Sequence, residues 1–324
     1  MNSALYRLFT PPKFLTMPAA GIEIGDAFVR AISFAGSIGF LKVSWWQEEA
    51  LPHGAVSGGI INDRGVVVDT LRKIRVAHGF SFAHLSIPEQ QSYLCEIQAP
   101  TVSPEEARAA IELHLEEQVP IRVNDAVFDA VANERVHTIA GAHRSYRVAA
   151  AQKKIVEAYS LVCNEAGIAP LSFDIEACSV ARAVVGARDA RSLLILNMSE
   201  DDTGLYVVDG GVVRFASTVP LVLGEKVAEE ITHALAGEVA RVREFWETHG
   251  DAHEKIHEVV VCGRGSAFPH NLSALSSVLN LPVLPASVWQ NAFAVDEAVP
   301  PIPRDESLRF AVPIGLALRP FIYV

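Results

Sequence analysis

The chain is short of positive charge. Its 324 residues carry 27 Lys and Arg against 38 Asp and Glu, a net charge of −11, and no basic patch is visible along it. Phosphate contacts need clustered Lys and Arg, so the composition argues against a nucleic-acid partner. Cysteine is scarce as well. Cys95, Cys163, Cys178 and Cys262 are scattered through apolar stretches without a CxxC pair. They read as reduced, buried small hydrophobes rather than disulfides or metal ligands, which suits a cytoplasm. No apolar run reaches the roughly 18 residues of a membrane span, and the start lacks the apolar stretch and small-residue cleavage site of a secretory signal. With 50% hydrophobic residues, the chain has material for two sizeable cores.

What is present is a duplication. AAGIEIGDAFVRAISFAGSIGFLKVSWW, from Ala19 to Trp46, and LLILNMSEDDTGLYVVDGGVVRFASTV, from Leu193 to Val219, share a strand, turn, strand, turn, strand pattern. Glu23 aligns with Asn197 and the turn at Gly36 with that at Gly210; 197 − 23 and 210 − 36 both give 174. Alternating apolar residues broken by Gly or Asp turns are the period-2 signature of hairpin-linked strands. Two related halves facing each other make a cleft.

Around these units the elements follow from local signals. Residues 1–18 carry Leu5, Leu8 and Phe9 with Arg7 and Lys13, broken by Pro11 and Pro12. They read as a loosely ordered tail, a membrane-surface contact being the alternative. A helix through Val67, Val68, Leu71 and Ile74 stops at Gly79. Strands are expected at His84–Ile87 and Ser92–Gln98. Ser103, Pro104 and Glu106 form a capping box opening a helix with Ala107, Ile111 and Leu115 on one face up to Pro120. Strands near Asp125–Ala132 and Tyr146–Ala151 precede a helix with Ile155, Tyr159 and Val162 that ends at Gly167. Residues 82–151 thus read as a small α+β module inserted in the first half. In the second half Gly224 opens one long helical stretch to Gly250, with Gly237 inside it. A strand from His257 to Cys262, a helix with Leu272 and Leu275, a proline-rich surface loop from Val299 to Pro303 and a final helix FAVPIGLALR complete the pattern.

The pieces GIEIGDAFVRA, LPHGAVSGGIIND, LSIPEQ, QVPIRVNDAVFD, RVAAAQKKIVEAYSLVCNEAGIAPLSFDIEACSVARA and IGLALR, in this order over nearly the whole chain, resemble the PilM proteins of type IV pilus assembly. The resemblance implies an α/β, actin-like (ASKHA) fold close to that of FtsA. Its two RNase H-like halves would be 19–81 with 152–190, and 191–324; 82–151 would be an SHS2-like inserted module and 225–255 a reduced lid. It implies a cytoplasmic protein held at the inner membrane by binding the N-terminal tail of PilN, in a groove between module and first half, and so joined to the pilus platform. Self-association is left open. The cytoplasmic part of a related secretion-system protein is a third expectation, weakened by the absence of a membrane helix before Val324.

Actin-like proteins cradle ATP phosphates with a tight glycine turn in each half and hold hydrated magnesium with an adjacent Asp. Here the first loop reads Glu23, Ile24, Gly25, Asp26, with Arg30 at the family's usual Lys. The resemblance implies Asp in place of Glu23 and a small hydroxyl residue in place of Asp26, whose charge would oppose a phosphate. In the second loop Asn197, Met198 and Ser199 replace an acidic residue and a glycine, and Glu200, Asp201 and Asp202 follow. Gly263, Gly265 and Ser266 keep the adenosine-side glycine turn, without the third glycine of a dinucleotide fingerprint. Glu176 matches a position where actin-like enzymes keep a water-activating residue. His253, Glu254 and His257 spell the HEKIH zinc-protease pattern, but little helix is available there and the third-ligand position is Gly263, so a polar linker is the reading. The expectation is a scaffold with a degenerate nucleotide site, no metal and no catalytic residue. The alternative is a working ATPase that binds ATP with magnesium through Glu23 and Glu176 and polymerises as FtsA does.

Overall fold

A computed structural model describes residues 18–36, 41–100, 103–132, 143–199, 202–220, 228–249, 255–264, 269–293 and 299–322. The first hairpin unit is β1 (Ala19–Ile24), β2 (Phe28–Ala35) and β3 (Lys42–Ala50). The turn-rich stretch after it contains a small ribbon, β4 (Val56–Ser57) with β5 (Ile60–Ile61), which the sequence pattern does not show. Helix α1 (Arg64–His78) starts where Asp63 accepts the Val66 N–H and stops at Gly79, whose φ of 67° only glycine adopts without strain. Then come β6 (Phe82–Ile87), β7 (Ser92–Pro100), α2 (Pro104–Gln118), β8 (Ala126–Ala132), β9 (His143–Gln152), α3 (Lys153–Glu165), β10 (Ala169–Ile175) and α4 (Glu176–Val184). The reciprocal Ser103–Glu106 capping box opens α2 as the sequence predicts.

The second unit repeats the first strand for strand. β11 (Leu193–Met198) and β12 (Asp202–Asp209) are β1 and β2 displaced by 174 positions at both ends. The pairing register is displaced equally: Gly21 faces Ile32 and Glu23 faces Arg30 in one, Ile195 faces Tyr206 and Asn197 faces Gly204 in the other. After β13 (Val212–Pro220) follow α5 (Ala228–His249), β14 (Glu258–Gly263), α6 (Pro269–Leu279), β15 (Val283–Pro285), α7 (Arg304–Ser307) and α8 (Ala311–Leu318). The two main sheets have one strand order, β3-β2-β1-β6-β10 and β13-β12-β11-β14-β15, each an antiparallel meander continued by two parallel strands.

Two boundaries move from their expected places. β6 pairs between β1 and β10, so 82–87 belong to the first sheet; the separate sheet β7-β9-β8, backed by α2, begins at Ser92 and not at Phe82. The C-terminal helix α8, counted with the second half, crosses back to pack on β1, β2, β6 and α4. Helices α4 and α8 fill the layer between the two main sheets, in a core shared by Ile32 and Phe34 on one side and Leu193, Ile195, Tyr206 and Val208 on the other. Two glycines permit that closeness. A Cβ on Gly21 would lie 2.1 Å from the Pro313 carbonyl oxygen, and one on Gly315 would lie 1.8 Å from that of Ser179. Single helix α5 is the described element between β13 and β14, running through Gly237. No described helix is long and apolar enough to cross a membrane.

Candidate functional site

Strand alternation fixes which side chains enter the layer between the sheets. Along β1, Ala20, Ile22 and Ile24 face the core under α1 and α3, which turns Gly21 and Glu23 toward α8 and α4. Along β11, Leu194, Leu196 and Met198 face α5 and α6, which turns Asn197 the same way from the opposite sheet. Glu176, the first residue of α4, sits between them. The Asn197 amide donates to Glu176 Oε1 at 2.7 Å, the Tyr206 hydroxyl donates to the same oxygen at 3.4 Å, and Cys262 Sγ donates to Asn197 Oδ1 at 3.4 Å. Burial first, and then the charges of Glu23, Asp202 and Glu89, hold the Glu176 carboxyl well above the ordinary carboxylate range; the Asn197 hydrogen bond opposes them.

Glu89 was missed as a site residue, although LSIPEQ carries it, because no short motif marks it. It stands on a single turn, Glu89–Gln91, between β6 and β7. Its carboxylate accepts the Ala177 N–H in the first turn of α4, and its Oε2 is buried without a hydrogen-bond partner. Burial, with a smaller contribution from Asp202, pushes its pKa up to about 7 against the Ala177 bond. Four carboxylates therefore converge on this layer, yet no three His, Cys, Asp or Glu among the described residues are placed to hold a metal ion.

The two tight loops close alike. Gly25 N–H donates to Phe28 O at 2.9 Å, and 174 residues on Ser199 N–H donates to Asp202 O at 2.9 Å. Asp26 is engaged inside the protein, accepting the N–H of Gly58 at 2.6 Å and of Gly59 at 3.2 Å. Arg30 is buried and bonds to Glu48 at 2.7 Å, with Glu23 at 3.8 Å. The Ser199 hydroxyl folds back onto the Asp202 carboxylate at 2.5 Å. Gly263 keeps its glycine-only φ of 84°, its Cα too close to Met198 for any side chain. The guanidinium of the next residue, Arg264, lies over the Phe28 ring of the opposite half, 5.7 Å from its centre. Gly224, Glu200, Asp201, Gly265, Ser266, His253 and Glu254 lie outside the described residues, as does the N-terminal tail through residue 17.

The sequence profile of "Type IV pilus assembly protein PilM" matches residues 21–219, more than half of the chain, and spans both tight loops and the inserted sheet. The chain belongs to the PilM family. A solved "PilM-PilN type IV pilus biogenesis complex" superposes with a TM-score of 0.81 at 17% identity, over 94% of this chain and 99% of that one. The ethanolamine utilization protein EutJ of Carboxydothermus hydrogenoformans gives 0.53 at 12% identity, over 96% and 90% of the two chains. MreB5 of Spiroplasma citri, solved with ADP, gives 0.50 at 13% identity, over 93% and 95%. No curated protein sequence matches significantly. At these identities the likenesses establish the actin-like fold, and the family match establishes a PilM-type pilus assembly protein.

Within that family frame the expected cleft residues separate into two groups. Glu23, Glu176 and Asn197 are brought together, joined by Glu89, Asp202 and Tyr206. Asp26, by contrast, turns to Gly58 and Gly59, while Arg30 bonds to Glu48 and stays within 3.8 Å of Glu23.

Proposed function

We propose that this protein is a cytoplasmic scaffold of a type IV pilus platform, held at the inner membrane by binding the N-terminal tail of a PilN-like protein on its inserted module, with a nucleotide site that no longer works. The observation that carries the reading is the likeness, over almost the entire length of both chains, to the PilM of a PilM–PilN complex. The module supports it. Among the described residues β8 is an edge strand whose outward Val127 and Val131 are exposed beside α3 of the first half, offering an open edge and apolar side chains to an extended peptide.

Among the described residues the loop donors are already engaged. Asp26 occupies the N–H groups of Gly58 and Gly59, the Gly25 N–H is given to Phe28, and Ser199 is spent on Asp202. Glu23 and Asp202 add negative charge where phosphate charge would lie, and the buried carboxyls of Glu176 and Glu89 supply no cation to offset it. If ATP with magnesium does bind, Glu23 would be the residue beside the metal and Glu176 the one beside an attacking water, its carboxyl raised by burial and by the neighbouring Glu23, Asp202 and Glu89.

One titration series tests both parts. Purified protein is titrated with a labelled peptide of the N-terminal tail of a PilN-like protein, and separately with labelled ATP and magnesium. Saturable peptide binding without magnesium-dependent ATP binding is the expected result. Tight ATP binding followed by phosphate release would replace the scaffold with an active ATPase; no peptide binding would remove the PilN assignment.

A further inference from the structure

The tripeptide Glu89, Gln90, Gln91 reaches three parts of the molecule at once. It follows Pro88 at the end of β6 and leads directly into β7, so it is the covalent link from first half to module. Glu89 takes the Ala177 N–H at the start of α4. Gln91 Nε2 donates to the Gly58 carbonyl at 2.8 Å. Gln90 Nε2 donates to Asp202 Oδ2 at the start of β12, in the second half. The Gly58–Gly59 turn is itself clamped: Asp26 holds both N–H groups, Tyr159 donates to the Gly59 carbonyl at 3.1 Å, and a Cβ on Gly59 would fall 2.8 Å from the Pro88 ring. The segment therefore touches the surroundings of both tight loops, Asp26 through Gly58 and Ser199 through Asp202.

We propose that Glu89–Gln91 is a joint that ties the position of the inserted module to the closure of the two halves, with Gln90–Asp202 as its releasable latch. The three contacts differ in kind. Glu89 is buried and Gln91 half-buried, and both hold to the first half and its helix α4, so they act as the pivot. Gln90 is exposed and spans to the other half, where water competes for its hydrogen bond. A partner that shifts β7 draws Gln90 off Asp202 and frees the turn that Asp202 closes with Ser199. Opening of the halves from the cleft side pulls on β7 through the same bond, as reciprocity of coupled equilibria requires. β13, the strand that runs from the second hairpin against β7, completes the second-half surface on which the module rests. The joint does not depend on what the module binds, and so stands or falls apart from the PilN assignment.

The test is a distance measurement on the full chain. Spin labels are placed on Leu113→Cys in α2 of the module and Val278→Cys in α6 of the second half, both exposed at 73% and 52%. Protein without the added cysteines serves as the labelling control. Gln90→Glu sets two carboxylates against each other and is expected to broaden and lengthen the distance distribution; Gln90→Ala does so less. Adding Asp202→Asn to Gln90→Glu restores a donor and an acceptor with their roles exchanged, and is expected to return the narrow distribution. An unchanged distribution in Gln90→Glu overturns the proposal, because the module is then held without the latch. Broadening that persists in the exchanged pair overturns it too, because the effect is then not that of this bond.

Discussion

Asp26 and Gly58 are 32 residues apart and joined by a 2.6 Å hydrogen bond, a carboxylate seated on a glycine-turn N–H with Gly59 beside it. Charge-assisted bonds of this sort are among the stronger ones in proteins. Asp26→Ala leaves two half-buried N–H groups without their acceptor, and about 1–3 kcal/mol of stability is expected to go in urea unfolding. Asp26→Asn retains one acceptor oxygen and should lose clearly less. Equal losses in the two variants would show that a single neutral oxygen replaces nothing and that the contact depends on the carboxylate's charge and on both of its oxygens.

Glycines in two helices are expected to respond oppositely to alanine. In Gly315→Ala the added methyl meets the backbone oxygen of Ser179 at 1.8 Å, and neither α4 nor α8 has room to yield inside the shared core. The loss should be about 3 kcal/mol or more, at the upper end for overpacking. In Gly237→Ala nothing lies within 4 Å of the new methyl, on the exposed face of α5. Helix propensity alone then acts, and stability should rise by up to about 1 kcal/mol. Parallel urea titrations decide both signs.

The ion pair of Asp174 and Arg182 is buried on both sides at 2.8 Å, tying β10 to α4, and Arg182 also donates to the Gly315 carbonyl. Removal of one partner strands the other charge, so Asp174→Ala should cost about 3–5 kcal/mol. Arg319, 3.3 Å from Asp174 but partly exposed, should cost less than about 1 kcal/mol on replacement by Ala. Comparable losses at both positions would contradict this ranking.

The repeated hairpins were legible because Glu23 and Asn197, and Gly36 and Gly210, keep one spacing, and the structure extends that spacing to strand ends and pairing register. The capping box at Ser103 was legible because its chemistry is local. β10 was not: Pro170 interrupts its alternation and the register shifts between Pro170 and Ser172, on an edge strand. The same blindness to long-range pairing placed β6 in the module and α8 in the second half. At the site, Glu23 and Asn197 were legible by position in the repeat and Glu176 by the family resemblance, whereas the partners of Asp26 and the reach of Glu89 and Gln90 depend on contacts between residues 32 to 112 positions apart.

Protonation of Glu89 gives a pH dependence of stability with a definite sign. Its carboxyl titrates near 7 in the folded protein against an ordinary value of 4.5, since burial and Asp202 from β12 outweigh the Ala177 N–H from α4. Between those values the folded state holds the proton and the unfolded state does not, so stability falls as pH rises from about 4.5 to 7 and is level above. The contribution is about 3 kcal/mol at most. Glu176, in the same layer and also raised, adds with the same sign. His84 acts the other way. Buried, hydrogen-bonded to Ser172 at 2.7 Å and near Arg319, it is lowered from 6.5 to about 4, so its stability contribution is lost as pH falls through that range. Wild-type stability from pH 4.5 to 6.5 is therefore a sum of opposed slopes, and the informative quantity is a difference between variants. Glu89→Gln, which keeps an acceptor for Ala177, should gain on wild type as pH rises from 5 to about 7 and then level off, read by urea midpoints. His84→Gln should lose its disadvantage as pH falls below 6. A Glu89→Gln advantage that does not change with pH would mean that Glu89 stays ionised in the folded protein.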